Sequence, residues 1–235
     1  MVVATFDWVA AAAEAVLDVS GRLRPSMLEF MDGAAINAVE DQLRMGLDRD
    51  AAAMLVAASD ERGHAGADDI ELMARVFTEH GAKDVFSTDD PVEAEGFVAA
   101  RRFCIPAVEA KGPLLLEDVG VPLPQLGALI TGIEKIAADH RVMIAVIAHA
   151  GDGNTHPLIV HDPNDPDEVH RAEAAYGEIM DLAITLGGTI TGEHGVGRLK
   201  RPWLAQQLGP EAMALNQRVK AALDPLNLLN PGAGI

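Results

Sequence analysis

The chain has 235 residues, with 18 Lys and Arg against 36 Asp and Glu and a formal charge of −18. That balance argues against a nucleic-acid binder, because phosphate recognition needs clustered Lys and Arg, and here Arg22/Arg24 and Lys200/Arg201 are isolated pairs. Hydrophobic residues make up 49% and aromatics only 4%, so a core must be assembled from Ala, Val, Leu, Ile and Met.

The single cysteine, Cys104 in "RRFCIP", excludes an intrachain disulfide and reads as a buried thiol. The apolar start lacks a basic segment and is interrupted by Asp7 and Glu14, unlike a signal peptide. No apolar run approaches the roughly 18–20 residues of a membrane span. The expectation is a cytoplasmic chain, peripheral if it belongs to a larger complex.

In chain order, the pattern predicts a helix over 6–19, a strand over 26–32, a helix over 34–45 and a strand over 52–59. A helix over 68–80, closed by Gly81, precedes a short strand over 84–88 and a helix over 92–105. The pattern then restarts with a strand over 113–121. Leu126, Leu129, Ile130, Ile133, Ile136 and Ala137 recur at helical spacing. Strands over 142–149 and 155–161 follow. Asp165 as cap, Pro166 at the first helical position and Gly187 at the end bound the next helix. A glycine-rich segment, a helix over 211–223 and an extended tail complete the chain. Strand-helix-strand-strand-helix-strand, twice over, defines an α+β class: duplicated ferredoxin-like (βαββαβ) antiparallel sheets with helices on one face, plus C-terminal helices and the tail. No linker divides the chain.

The chemistry concentrates in "AHAGDGNTHPLIVHD", residues 148–162. If the strands on either side form a hairpin, His149 and His156 flank its turn and meet across it. The glycines permit positive φ and close approach of a ligand. Strand alternation turns His161 to the opposite side. Two histidines need a third ligand to hold a divalent ion, often a carboxylate. Glu193, followed by His194 in "TGEHGVG", supplies one; the same segment also reads as an ordinary turn entering a helix. His64, His80, His140 and His170 read as solvated. Arg101, on an apolar helix, offers a planar fork to a carboxylate, or is a surface residue or a member of an internal ion pair.

Together "LEFMD", "LEDVGVP", "HAGDGNTHPLI", "GGTITGEHGVG" and the terminal "DPLNLLNPG" resemble the C-terminal half of FAD-linked 2-hydroxyacid oxidases and dehydrogenases. These are flavoproteins of the vanillyl-alcohol-oxidase type; glycolate oxidase, in its flavin-bearing D subunit, and D-lactate dehydrogenase are members. The motifs occur in the family's order and cover nearly the whole chain. The resemblance implies a substrate (cap) domain over 20–190 and a flavin-facing segment over 190–235. It implies that His149, His156 and Glu193 ligate a divalent metal, usually zinc, and that His194 is the general base near the flavin. It further implies that Arg101 binds the substrate carboxylate, that Asn154 lines the site and that Asn230 lies near the flavin. The substrate class would be a small 2-hydroxy acid, oxidised by hydride transfer to FAD.

No GxGxxG follows a strand, so no dinucleotide cradle is present in these residues. The N-terminal FAD-binding domain is therefore expected to be absent from this chain, and FAD to be held by another domain or subunit, with little tight binding by this chain alone. The competing readings are a flavin-independent metal-dependent hydrolase or lyase, and a metal-binding or assembly module derived from the family. A homo-oligomer is compatible with either.

Overall fold

The computed structural model describes residues 1–234. Its strands are β1 (Val2–Phe6), β2 (Met27–Asp32), β3 (Ala53–Ala58), β4 (Asp84–Ser87), β5 (Leu114–Leu116), β6 (Val119–Gly120), β7 (Met143–His149) and β8 (Asn154–Val160). The helices are α1 (Val9–Arg22), α2 (Gly33–Leu43), α3 (His64–Glu79), α4 (Pro91–Arg102), α5 (Cys104–Glu109), α6 (Leu126–His140), α7 (Pro166–Thr185) and α8 (Arg201–Leu223). All strands join one antiparallel sheet in the order β4-β1-β3-β2-β7-β8-β5, with β6 also on β8.

The α+β class and the duplication are visible in this order. In the first half β1-α1-β2, β3-α3-β4 gives the spatial order 4-1-3-2, and α2 is inserted between β2 and β3. The second half repeats the scheme with β5/β6, α6, β7, β8 and α7, and its fourth strand is reduced to one bridge between Gly120 and Thr189. The halves meet at β2 and β7, the second strand of each, through Glu29↔His149, Phe30↔Ala148 and Met31↔Ile147.

Helices cover both faces of the sheet, where the sequence pattern suggests one. α1, α3, α6 and α7 pack on Phe30, Leu55, Val146 and Ile159. α2, α4 and α5 pack on Met31, Met54, Ile147 and Leu158. The reason lies in the central strands: five of the six residues of β3 are buried, so neither of its faces can meet water.

Other boundaries differ for identifiable reasons. β1 is absent from the sequence reading, because "VVATF" runs into the Ala-rich helix without a glycine or proline between them. The helix expected over 92–105 breaks at Phe103 into α4 and α5; Pro106 has no N–H to continue the ladder. The strand expected over 113–121 is interrupted between β5 and β6. Glu117 N–H donates to the Pro157 carbonyl at 3.1 Å, but Pro157 cannot return the bond. α8 begins ten residues earlier than expected and kinks at Gly209 (φ 73°), ahead of Pro210. Cys104 is buried, as expected.

Candidate functional site

β7 and β8 form the expected hairpin. His149 lies opposite Asn154 and Ile147 opposite His156, so the two histidines are diagonal neighbours. Their rings are 5.2 Å apart at 89°. Alternation puts Asn154 and His156 on the face that also carries Leu158 and Val160 in the core beneath α2, α4 and α5. His161 falls on the other face and outside the group. The turn between the strands closes at Gly153, whose φ is +72° and where a Cβ would stand 2.3 Å from the Val121 carbonyl oxygen. The Val121 N–H donates back to the Gly153 carbonyl at 3.0 Å, which pins the hairpin to the end of β6.

Glu193 completes the cluster. Its Oε1 lies 3.2 Å from His156 Nε2, 3.5 Å from His149 Nε2 and 3.7 Å from His194 Nε2. The His194 ring stacks on His156 with centroids 5.0 Å apart. Donor atoms of His149, His156 and Glu193 all lie within 4.8 Å of one another. His149 and Glu193 border a cleft of about 570 Å³ that is also lined by Gly120, Asn154 and Gly188.

Two carboxylates that sequence reasoning did not single out organise this group. Glu29 on β2 faces His149 across the seam, and its Oε1 lies 2.8 Å from His149 Nδ1. A carboxylate can only accept, so Nδ1 carries the proton and Nε2 is directed at Glu193. The bond to Glu29 raises the pKa of His149, against burial. Glu29 Oε2 is also 2.8 Å from Arg101 Nη2. Arg101 is thus turned inward, 11% exposed, with its Nε buried and unpartnered. Of its readings in the sequence, the structure shows the internal ion pair directly and excludes a surface residue.

The second carboxylate is Asp118, fully buried between β5 and β6. It accepts the N–H groups of Gly192 and His194 at 2.8 Å each, that of Glu193, and the Thr191 hydroxyl at 3.1 Å. Burial pushes its carboxyl up, but Lys200 and the His194 and Glu193 amides more than reverse this and hold it well below the usual carboxylate range.

Burial, with His149 and His194 nearby, pushes His156 down to about 4. His156 is therefore a neutral imidazole at physiological pH, the form that ligates metals. Two imidazoles and a carboxylate, with one imidazole already hydrogen-bonded to a second carboxylate, fit a zinc-like divalent ion.

Asn154 lines the cleft with its Oδ1 buried and unpartnered. Asn230 is not in the group. It lies in the exposed tail with φ +45°, and the tail is tied to the loop after His194 by Gly234 N–H to the Gly197 carbonyl at 2.6 Å. His80 and His140, expected to be solvated, instead sit 3.0 Å from Asp18 and Glu178.

The fold and this site define a domain class, and the chain belongs to it: the family "FAD linked oxidases, C-terminal domain" matches residues 1–233. Among its relatives, a glycolate oxidase subunit of Bacillus subtilis (strain 168) is 37% identical over 231 residues, which are 97% of this chain and 49% of that protein. The corresponding subunit of Escherichia coli (strain K12) is 37% identical over 237 residues, 100% of this chain and 48% of that one. Mitochondrial cytochrome-type D-lactate dehydrogenase of Arabidopsis thaliana is 33% identical over 165 residues, 69% of this chain and 29% of that protein. The solved structure of p-cresol methylhydroxylase shares the fold, with a TM-score of 0.72 at 15% identity over 99% of this chain and 52% of that one. The chain spans about half the length of the glycolate oxidase subunits it matches.

Proposed function

We propose that this chain is the substrate- and metal-holding part of a flavin-dependent oxidoreductase acting on a small 2-hydroxy acid of the glycolate or D-lactate type. The observation that carries the reading is the convergence of His149, His156 and His194 on Glu193 Oε1, with His149 and Glu193 at the edge of one cleft. His149, His156 and Glu193 would hold a divalent ion, zinc by the character of the donors. Such an ion, when bound, lowers the pKa of a hydroxyl it touches. FAD, when bound, accepts hydride.

The chain's own residues do the rest. His194, stacked on His156 and half-exposed, accepts the hydroxyl proton as general base. Arg101 anchors the substrate carboxylate through donors that Glu29 leaves unused, and Asn154 lines the pocket. His194 and Asn230, within the segment over 190–235, face the flavin. The FAD-binding part is another domain or subunit. We place the assembly in the cytoplasm; no helix of the described residues is long and apolar enough to cross a membrane.

The test is oxidation of glycolate and D-lactate, with a dye as electron acceptor, by this chain combined with an FAD-binding half. Turnover should need both parts, and His194→Gln should lower kcat by about 10²–10⁴-fold, the usual worth of a general base. Full turnover by the His194→Gln protein would contradict the assignment.

A further inference from the structure

We propose that Asp118 is the positioning residue of the site: its carboxylate gathers the backbone of residues 191–194 and thereby sets the directions in which Glu193 and His194 leave the chain. The proposal deepens the functional reading above and rests on it for its consequence, but its geometry stands independently.

Residues 191–199 form no regular element beyond turns and bends, and Glu193 and His194 are half-exposed. Their own packing therefore does little to hold them. What holds them is a single side chain. Asp118 Oδ2 accepts three consecutive N–H groups, from Gly192, Glu193 and His194, and Oδ1 accepts the Thr191 hydroxyl. The Thr191 oxygen in turn accepts the Gly195 N–H at 2.8 Å. Successive N–H groups turned on one anion form a nest, and here the anion belongs to the chain itself. Gly192 is the residue that lets the loop lie this close: a Cβ there would stand 2.1 Å from Asn154 Oδ1.

A buried carboxylate is tolerated only with a counter-charge and satisfied lone pairs. Lys200, itself 5% exposed, supplies the charge. Its Nζ pairs with the Asp118 carboxylate, donates to the Asp118 carbonyl at 2.7 Å and lies 3.2 Å from Glu117 Oε2. Lys200 also follows the loop directly in sequence, so the ion pair closes the segment at both ends. Asp118 makes none of the contacts among the Nε2 and Oε1 atoms of the cluster. It acts through the backbone.

The experiment uses the whole chain. Asp118→Asn keeps the shape and removes the charge, and Lys200 still has Glu117 as its counter-charge; Asp118→Asn with Lys200→Gln removes both partners of the ion pair. Site-resolved amide hydrogen exchange is read at residues 192–194, and Zn²⁺ alone is titrated against each protein. We expect exchange at Gly192 and His194 to speed up at least about tenfold in both variants, with β1, β3, β7 and β8 unchanged. Zn²⁺ binding should weaken by about 10–100-fold, as when outer-shell partners of a metal site are removed. Asp139→Asn, a surface control paired with Lys135, should change neither. Unchanged exchange, or unchanged Zn²⁺ affinity in a protein that binds it, would overturn the proposal. Loss of protection throughout the sheet in Asp118→Asn alone would overturn it too, because Asp118 would then support the fold and not the loop. If the wild-type chain binds no Zn²⁺, the functional reading fails and the exchange result alone decides this one.

Discussion

Single residues in this domain carry opposing electrostatic roles, and Asp32 shows how burial decides between them. Asp32 ends β2 and caps α2, accepting the Ala35 N–H at 2.7 Å. That bond favours the charged form, but burial outweighs it and pushes the carboxyl up from 3.8 to about 7. The sign of the pH dependence follows. The folded state keeps a proton that the unfolded chain has already lost, so the contribution to stability is complete below about pH 4 and disappears as pH rises to about 7. Asp32→Asn keeps a neutral acceptor for the cap and removes the dependence. Urea denaturation should show the variant gaining on the wild type between those limits, by at most about 4 kcal/mol. A stability difference that does not vary with pH would contradict this. Asp118, also buried, goes the other way because Lys200 and three amides face it.

At the scale of elements, the β7–β8 hairpin was the part most legible in the sequence. His149 and His156 sit on either side of two glycines, and alternation alone separates them from His161. The partners that complete the site were much harder to find. Glu29 is 120 residues from His149, and Asp118 is 74 from Gly192. Both stood inside recognised motifs, "LEFMD" and "LEDVGVP", but no spacing rule connects a carboxylate to a loop across a sheet. Which face a helix covers was hidden for the same reason, since α2, α4 and α5 cross beneath strands that are apolar on both sides. Two glycines, one in the hairpin turn and one just after α7, offer a clean comparison of strain with collision. Gly187 and Gly153 both have positive φ, but a Cβ at Gly187 meets open space while one at Gly153 meets the Val121 carbonyl oxygen at 2.3 Å. Gly187→Ala should cost about 1 kcal/mol of strain. Gly153→Ala should cost clearly more, about 3 kcal/mol, because backbone must also move. Equal losses in chemical denaturation would show that the turn is not pinned to β6.

Across the whole molecule, the duplication brings the site together at an inner seam. The β2–β7 junction delivers Glu29 from one half to His149 in the other, and α4, in the connection between the halves, delivers Arg101 to Glu29. The second half then adds Glu193 and His194 at the point where its fourth strand shrinks to a single bridge. Away from the site, Leu215, Val219, Leu223, Leu226, Leu228 and Leu229 are 50–78% exposed on α8 and the tail. On the function proposed above, these side chains are where we would look for contact with the FAD-binding half.

The central claim, that His149, His156 and Glu193 hold a metal ion for hydroxyacid chemistry, is tested most directly by calorimetric titration of the metal-free 235-residue chain with Zn²⁺. We predict saturable binding of about one ion per chain, abolished by His156→Ala, weakened at least about tenfold by Glu193→Gln and untouched by His161→Ala. Absence of saturable binding, or binding indifferent to His156→Ala and Glu193→Gln, would contradict the account.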